Sequence, residues 1–69
     1  MKSFTLKEQE YIELNKLLKI LRIVGTGGEA KMRIKDGEAF VNGEVELRVR
    51  RKLRKGDKVV FDGEEAVVE

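Results

Sequence analysis

The sequence predicts an α+β domain in which two N-terminal helices pack on a small, mainly antiparallel sheet. Three observations lead to this class. Leucines recur at helical spacing in the first third of the chain, an Asn-Gly pair separates two short apolar runs, and short strands with glycine turns follow to the end. At 69 residues the chain has the size of one domain, so residues 1–69 are expected to share one core.

The first helix is predicted at residues 8–23, after a short strand at residues 3–6. Leu14, Leu17 and Leu18 lie three and four positions apart, which places them on one apolar face of a helix. Gly25 then interrupts the pattern. Glycine tolerates the left-handed conformation that commonly ends a helix, so Gly25 is the expected C-terminal cap.

The second helix is predicted at residues 28–35. Thr26 is a suitable N-cap, and Glu29 follows three positions later, as in a capping box. Ala30 and Ile34 lie four positions apart and are expected to face the core.

The second half of the chain predicts strands. Asn42-Gly43 between residues 39–41 and 44–45 indicates a type I′ hairpin, because both turn residues tolerate positive φ. Two further strands are expected at residues 59–61 and 64–68. The last one carries Glu64 and Glu65, which suggests a solvated acidic edge that discourages pairing between sheets.

Charge is segregated along the chain. Residues 1–47 hold eight basic and eight acidic side chains, residues 48–58 hold seven basic and one acidic, and residues 59–69 hold four acidic and none basic. The basic segment indicates either a binding surface for an anionic partner such as nucleic acid or a solvated strand and turn. If it is a strand, Arg48, Arg50 and Lys52 share one face while Val49 and Leu53 face the interior, and Arg51 then needs a bulge or turn to stay exposed.

Composition excludes several functions. The chain has no His and no Cys, and no apolar run approaches the roughly 20 residues of a membrane span. Residues 25–28 lack the Gly-Lys-Ser/Thr ending of a nucleotide-binding P-loop. We therefore expect no enzyme activity, no cofactor, no metal, no small-molecule substrate and no membrane partner. The N-terminus lacks the apolar segment of a signal peptide, which predicts a cytoplasmic protein. A monomer is expected as a separate matter.

The ordered motifs resemble one known family. Gly27-Gly28-Glu29-Ala30, Val41-Asn42-Gly43 and Gly56-Asp57, with Ile34, Gly37 and Leu53 at matching spacing, resemble the RNA-binding domain named after ribosomal small-subunit protein four, also called the alpha-L motif. The resemblance covers about residues 12–61 and is closest to small stand-alone bacterial members. It implies RNA binding through the second helix, its N-terminal turn and the adjoining hairpin, and Arg48 with the basic residues after it matches the family's segment following the hairpin.

The resemblance and the charge pattern together nominate a set of RNA-binding residues. By position, Thr26 matches the family's usual Ser and Lys31 matches a basic position on the second helix. The family's frequent Arg at the start of that helix is replaced by Gly27, so RNA backbone could approach the helix N-terminus closely. The nominated residues are Thr26, Gly27, Gly28, Lys31, Lys35, Arg48, Arg50, Arg51, Lys52 and Lys55.

Three alternatives stay open at this point. Phe40 is expected to point outward from its strand, where it could stack on a base or pack at the sheet. Lys31 and Lys35 could flank the RNA groove or form a solvated helix face. The expected partner is structured RNA, such as ribosomal RNA or a tRNA-like fold, in translation or ribosome assembly. A protein adaptor that docks an acidic partner on the same basic patch is the competing interpretation, and charge alone does not separate RNA from DNA.

Overall fold

A computed structural model describes all of residues 1–69 and has two helices and seven short strands. In chain order the elements are β1 (Lys2–Phe4), β2 (Ile12–Glu13), α1 (Leu14–Ile20), α2 (Gly27–Lys35), β3 (Ala39–Val41), β4 (Glu44–Val45), β5 (Lys52–Leu53), β6 (Lys58–Phe61) and β7 (Glu64–Val68). The α+β class is confirmed.

The main sheet is mixed, in the order β1-β7-β6-β3-β4, and β2 with β5 forms a separate antiparallel ribbon. Within the main sheet β1 runs parallel to β7, and the other pairs are antiparallel. Two strands precede the helices, so the expectation of N-terminal helices was wrong. Neither helix is long or apolar enough to cross a lipid bilayer.

The last strand lies inside the sheet rather than at its edge. β7 is flanked by β1 and β6, and the edge strands are β1 and β4. Glu64 and Glu65 are therefore not edge charges. They pair across the sheet with Lys2 at 3.8 Å and with Lys58 at 2.8 Å. The Lys58 ammonium lowers the pKa of Glu65 below its usual value through their hydrogen bond. The interpretation of an acidic edge was wrong because β1 pairs with β7 and takes the edge position itself.

The core lies between the sheet and the two helices. It is made of apolar residues drawn from nearly every element: Leu6, Ile12, Leu14, Leu17, Leu18, Val24, Ala30, Ile34, Ala39, Val41, Leu53, Val59, Phe61 and Val68. Burial of these side chains supplies most of the favourable free energy of folding in a domain of this size. The leucine face of α1 and the Ala30–Ile34 face of α2 are both buried, as predicted.

Helix α1 is much shorter than the sequence pattern predicted. Residues 12–13 pair with β5 instead of continuing the helix, so a long-range strand contact overrides local periodicity. At the other end Leu21 is the C-cap and Arg22 takes the positive φ of 60°, whereas Gly25 does not have a positive φ. The helix therefore ends before Gly25, and the prediction of Gly25 as its cap was wrong.

The Asn-Gly hairpin forms as predicted. Asn42 and Gly43 have φ values of 52° and 88°, as a type I′ turn requires. The Asn42 amide also bonds a distant turn: Nδ2 donates to Asp57 Oδ1 at 3.0 Å, and Oδ1 accepts from the Lys58 N–H at 3.0 Å. Asp57 Oδ2 in turn accepts from the Arg54 N–H at 2.8 Å. These bonds tie the Asn-Gly and Gly-Asp turns together.

Candidate nucleic-acid interface

The basic segment begins as a loop between β4 and β5. The Arg51 N–H donates to the Arg48 carbonyl at 3.3 Å, so the chain turns there, and strand pairing begins only at Lys52. The predicted strand alternation over Arg48, Arg50 and Lys52 was therefore wrong. The turn arises because Val49 packs half-buried against the core while its neighbours face outward.

Helix α1 holds this loop in place. The helix has no side-chain cap, and its first free N–H groups donate to loop carbonyls: Leu14 to Arg51 at 2.9 Å and Asn15 to Val49 at 3.1 Å. Unpaired N–H groups at a helix start need acceptors, and here the basic loop provides them. The backbone that carries the arginines is thus fixed by a buried helix.

Four cationic side chains converge around one open cavity. Arg48, Arg50, Arg51 and Lys52 line a concavity of about 430 Å³ that has no hydrophobic lining residue. Arginine presents planar N–H donors that match the oxygens of a phosphate or carboxylate. A cavity of this composition suits an anionic ligand.

Glu46 is the buried anchor of this arrangement. Only 6% of the residue is exposed, and its carboxylate accepts from the Arg48 Nε at 2.8 Å, the Arg48 N–H at 3.0 Å and the Arg51 Nη1 at 2.6 Å. The bond from the Arg48 side chain is the main reason that the pKa of Glu46 falls to about 2, and the same bond raises the pKa of Arg48. The ion cluster therefore stays charged throughout the physiological pH range.

Positive charge remains in excess around the cavity. Glu46 is the only carboxylate bonded to the four cations, and neither Arg50 nor Lys52 has an acidic partner. Three positive charges are left uncompensated beside one concave surface. In the free protein this costs electrostatic repulsion, which a bound polyanion would relieve.

Tyr11 extends the cationic surface along the β2–β5 ribbon. The Lys52 Nζ lies 5.0 Å from the centre of the Tyr11 ring, and the Arg54 Cζ lies 5.7 Å from it. Both distances are in the range of cation–π attraction. The ring thus holds two unpaired cations side by side, and Lys52 belongs to both this cluster and the cavity.

The start of α2 supplies free backbone donors. Thr26 is the N-cap, as predicted: its Oγ1 accepts from the Glu29 N–H at 3.1 Å. The Glu29 carboxylate accepts from the Gly25 N–H at 2.9 Å, one residue before the position that a capping box uses. The N–H groups of Gly27 and Gly28 have no protein acceptor, and a Cβ at either position would meet only open space or ordinary contact.

The other predicted residues lie apart from the cavity. Lys31 and Lys35 are exposed on α2 and form no ion pair, and no bond joins α2 to the basic loop. Lys55 lines a different cavity, near the two ends of the chain. Phe40 does point outward, as predicted, with 41% exposed, and it pairs in register with Val45 and Val60.

Sequence reasoning missed a second ion cluster. Arg33 pairs with Glu38 at 2.8 Å, Glu29 at 3.2 Å and Asp62 at 3.3 Å, and its Cζ lies 4.7 Å above the Phe61 ring. The hydrogen bond with Glu38 is the main cause that raises the pKa of Arg33. From the sequence, only the pair of Glu29 with Arg33 was predictable, because the two residues lie four positions apart on one helix.

Glu46 was missed as well, and no sequence signal would have revealed it. Glutamate is rarely buried unless it is paired, and alternation along the hairpin groups Glu46 with the exposed Glu44. Its burial depends on the turn after β4, which brings Arg48 and Arg51 around the carboxylate.

Comparison with known proteins gives one consistent match. A family model described as the S4 domain matches residues 4–69. The chain is 38% identical over 63 residues to "Putative RNA-binding protein YbcJ" from Escherichia coli, covering 91% of this chain and 90% of that protein; "Uncharacterized protein YbcJ" from Shigella flexneri matches equally. The solution structure of E. coli YbcJ, described as revealing an alpha-L motif involved in RNA binding, is similar with a TM-score of 0.76 and 37% identity, covering 99% of this chain and 86% of that one.

Proposed function

This chain belongs to the S4 domain family, and from that premise we propose that it is a non-enzymatic RNA-binding protein. The observation that carries the proposal is the cavity lined by Arg48, Arg50, Arg51 and Lys52, with its three uncompensated positive charges. RNA is the polyanion that the related YbcJ proteins suggest for this surface.

Phosphate contacts would supply most of the affinity. The cavity offers guanidinium and ammonium donors and has no hydrophobic lining residue, so charge-assisted contacts with phosphate oxygens would dominate over contacts with bases. A-form helices and folded RNA are recognised mainly through their shape and backbone, which suits such a surface. We propose structured RNA, such as ribosomal RNA or a tRNA-like fold, as the ligand class.

Further contacts would come from surfaces outside the cavity. Lys52 and Arg54 beside Tyr11 continue the cationic surface along the β2–β5 ribbon. The free N–H groups of Gly27 and Gly28, with Thr26 at the cap, suit a phosphate at the start of α2. Lys31, Lys35 and Lys55 are exposed cations that could add weaker attraction, and Phe40 is an exposed ring on the sheet.

A titration with labelled RNA tests this function. A fluorescent hairpin RNA is titrated with the protein between 50 and 200 mM salt, beside an unstructured RNA and a DNA duplex of equal length. With two or three phosphates neutralised, we expect the hairpin affinity to fall roughly 15–40-fold across this range. The absence of salt-dependent binding at micromolar protein would overturn the proposal, and tighter binding to the DNA duplex would redirect it.

The same protein used as bait separates RNA binding from docking to an acidic protein. We expect its partners in a cell lysate to be released by ribonuclease, because RNA would hold them. Retention of one protein partner after ribonuclease treatment, together with failure of the titration, would support the adaptor role instead.

A further inference from the structure

We propose that Glu46 is a positioning residue, whose buried carboxylate holds the guanidinium groups of Arg48 and Arg51 in the geometry that receives a phosphate. This inference rests on the proposed function and goes beyond it. It assigns a role in anion binding to the buried carboxylate that is bonded to two of the arginines lining the cavity, although its negative charge alone would disfavour an anion there.

The hydrogen bonds leave suitable donors free. Arg48 uses Nε and Nη2 for the Glu46 carboxylate, so its Nη1 has no acceptor in the protein. Arg51 uses only Nη1, at 2.6 Å, so its Nε and Nη2 are free. Each guanidinium is therefore held by Glu46 through some of its N–H groups and keeps the others available for a ligand.

Burial makes the anchor rigid. The Glu46 side chain is 8% exposed and that of Arg51 is 30% exposed, whereas that of Arg48 is 72% exposed. A flexible arginine with that exposure would lose considerable rotamer freedom on binding RNA. Because Glu46 already orders both arginine side chains in the free protein, their conformational entropy is lost during folding and not during RNA binding.

Two accounts of Glu46 predict opposite signs. If the carboxylate is only a nearby negative charge, removing it strengthens attraction for RNA. If it is a positioning group, Glu46→Gln weakens binding even though the protein gains a unit of positive charge. Glutamine cannot serve both arginines, since its amide NH₂ would face a guanidinium N–H donor.

The experiment compares Glu46→Gln with Glu44→Gln in the hairpin RNA titration. Glu44 is exposed, forms no ion pair and lies two residues away, so its substitution removes the same charge without touching the arginines. We expect Glu46→Gln to bind about fivefold more weakly than the parent protein, and Glu44→Gln to bind equally or slightly more tightly. Equal or tighter binding by Glu46→Gln would overturn the positioning role.

Arg48→Lys provides a second test. It preserves the net charge and replaces a side chain that is largely exposed. Lysine cannot span both carboxylate oxygens through a planar fork, so we expect a similar loss of affinity. Unchanged affinity would contradict the proposal even if Glu46→Gln failed to fold. In the parent protein, the Arg48 Nε–H should also give a distinct, slowly exchanging NMR signal that Glu46→Gln loses.

The parent protein in the same assay separates the two proposals. If it does not bind RNA, the proposed function and the role of Glu46 both fall. If it binds with steep salt dependence while Glu46→Gln binds as well or better, only the positioning role falls and the RNA function stands.

Discussion

Two ion clusters in this protein are both built from arginine–carboxylate pairs, but their net charges have opposite signs. At one, Arg33 is surrounded by the carboxylates of Glu29, Glu38 and Asp62. At the other, Glu46 is surrounded by Arg48 and Arg51, with two further cations lining the same cavity. The first cluster leaves negative charge in excess and the second leaves positive charge in excess.

The difference teaches how cations are divided between structure and binding. Arg33 joins α2 to the turn between β6 and β7 and lies over the ring of Phe61. Its guanidinium N–H groups bond to acidic partners. The arginines around Glu46 line a cavity and keep N–H donors without a protein acceptor. A count of basic residues does not distinguish these cases, whereas the ratio of acids to bases within each cluster does.

Breaking the Arg33 cluster is expected to destabilise the fold and to leave RNA binding almost unchanged. Arg33→Met removes the charge and leaves three carboxylates facing one another across the α2–sheet contact. We expect the midpoint of thermal unfolding to fall by roughly 5–10 °C, with RNA affinity at 15 °C within about twofold of the parent value.

Lys31→Met serves as the matched control, because Lys31 is an exposed cation on the same helix without an ion pair. Its unfolding midpoint should stay close to that of the parent protein. A tenfold loss of RNA affinity in folded Arg33→Met would remove the distinction between the two clusters.

Lowering the pH should destabilise the protein through protonation of the Glu46 carboxylate. The folded-state pKa of Glu46 is about 2 against an ordinary 4.5, so its stabilisation is present above pH 4.5 and is lost as pH falls towards 2. A shift of this size corresponds to roughly 3–4 kcal/mol in the free energy of unfolding.

Urea unfolding of the parent protein and Glu46→Gln at pH 6, 4 and 3 measures this contribution. The stability difference between the two proteins should shrink as the pH falls, since protonated glutamate and glutamine are both neutral. A difference that is the same at pH 6 and pH 3 would show that the ion cluster does not stabilise the fold.

Local features of the fold were predictable where one segment decides its own structure. The Asn42-Gly43 turn, the Thr26 cap and the buried face of α2 each follow from short-range chemistry and were confirmed. The length of α1 was not predictable in this way, because residues 12–13 leave the helical pattern only to pair with β5, some forty residues later.

The candidate site was predictable in composition but not in geometry. The excess of basic residues at 48–58 marked the correct segment, and four of its members do share one cavity. The burial of Glu46 and the position of Lys55 outside the cavity both depend on how the loop packs against α1 and the core. Such contacts leave no periodic trace in the sequence.

Two cations of the cavity, Arg50 and Lys52, allow binding to be tested without disturbing the fold. Arg50 and Lys52 line the cavity without an acidic partner, so replacing them leaves the Glu46 cluster intact. Replacing Arg48 or Arg51 with Ala would instead deprive a buried carboxylate of a partner and confuse binding with stability.

The most direct measurement is the salt dependence of hairpin RNA affinity for Arg50→Gln/Lys52→Gln, compared with Lys2→Gln/Lys19→Gln. The second variant removes the same charge from exposed positions outside the cavity. Our account predicts that the cavity variant loses about two units of the slope of log affinity against log salt and binds at least tenfold more weakly at 150 mM salt, while the control keeps its slope. Equal slopes and affinities in the two variants would contradict the claim that this cavity is the RNA surface.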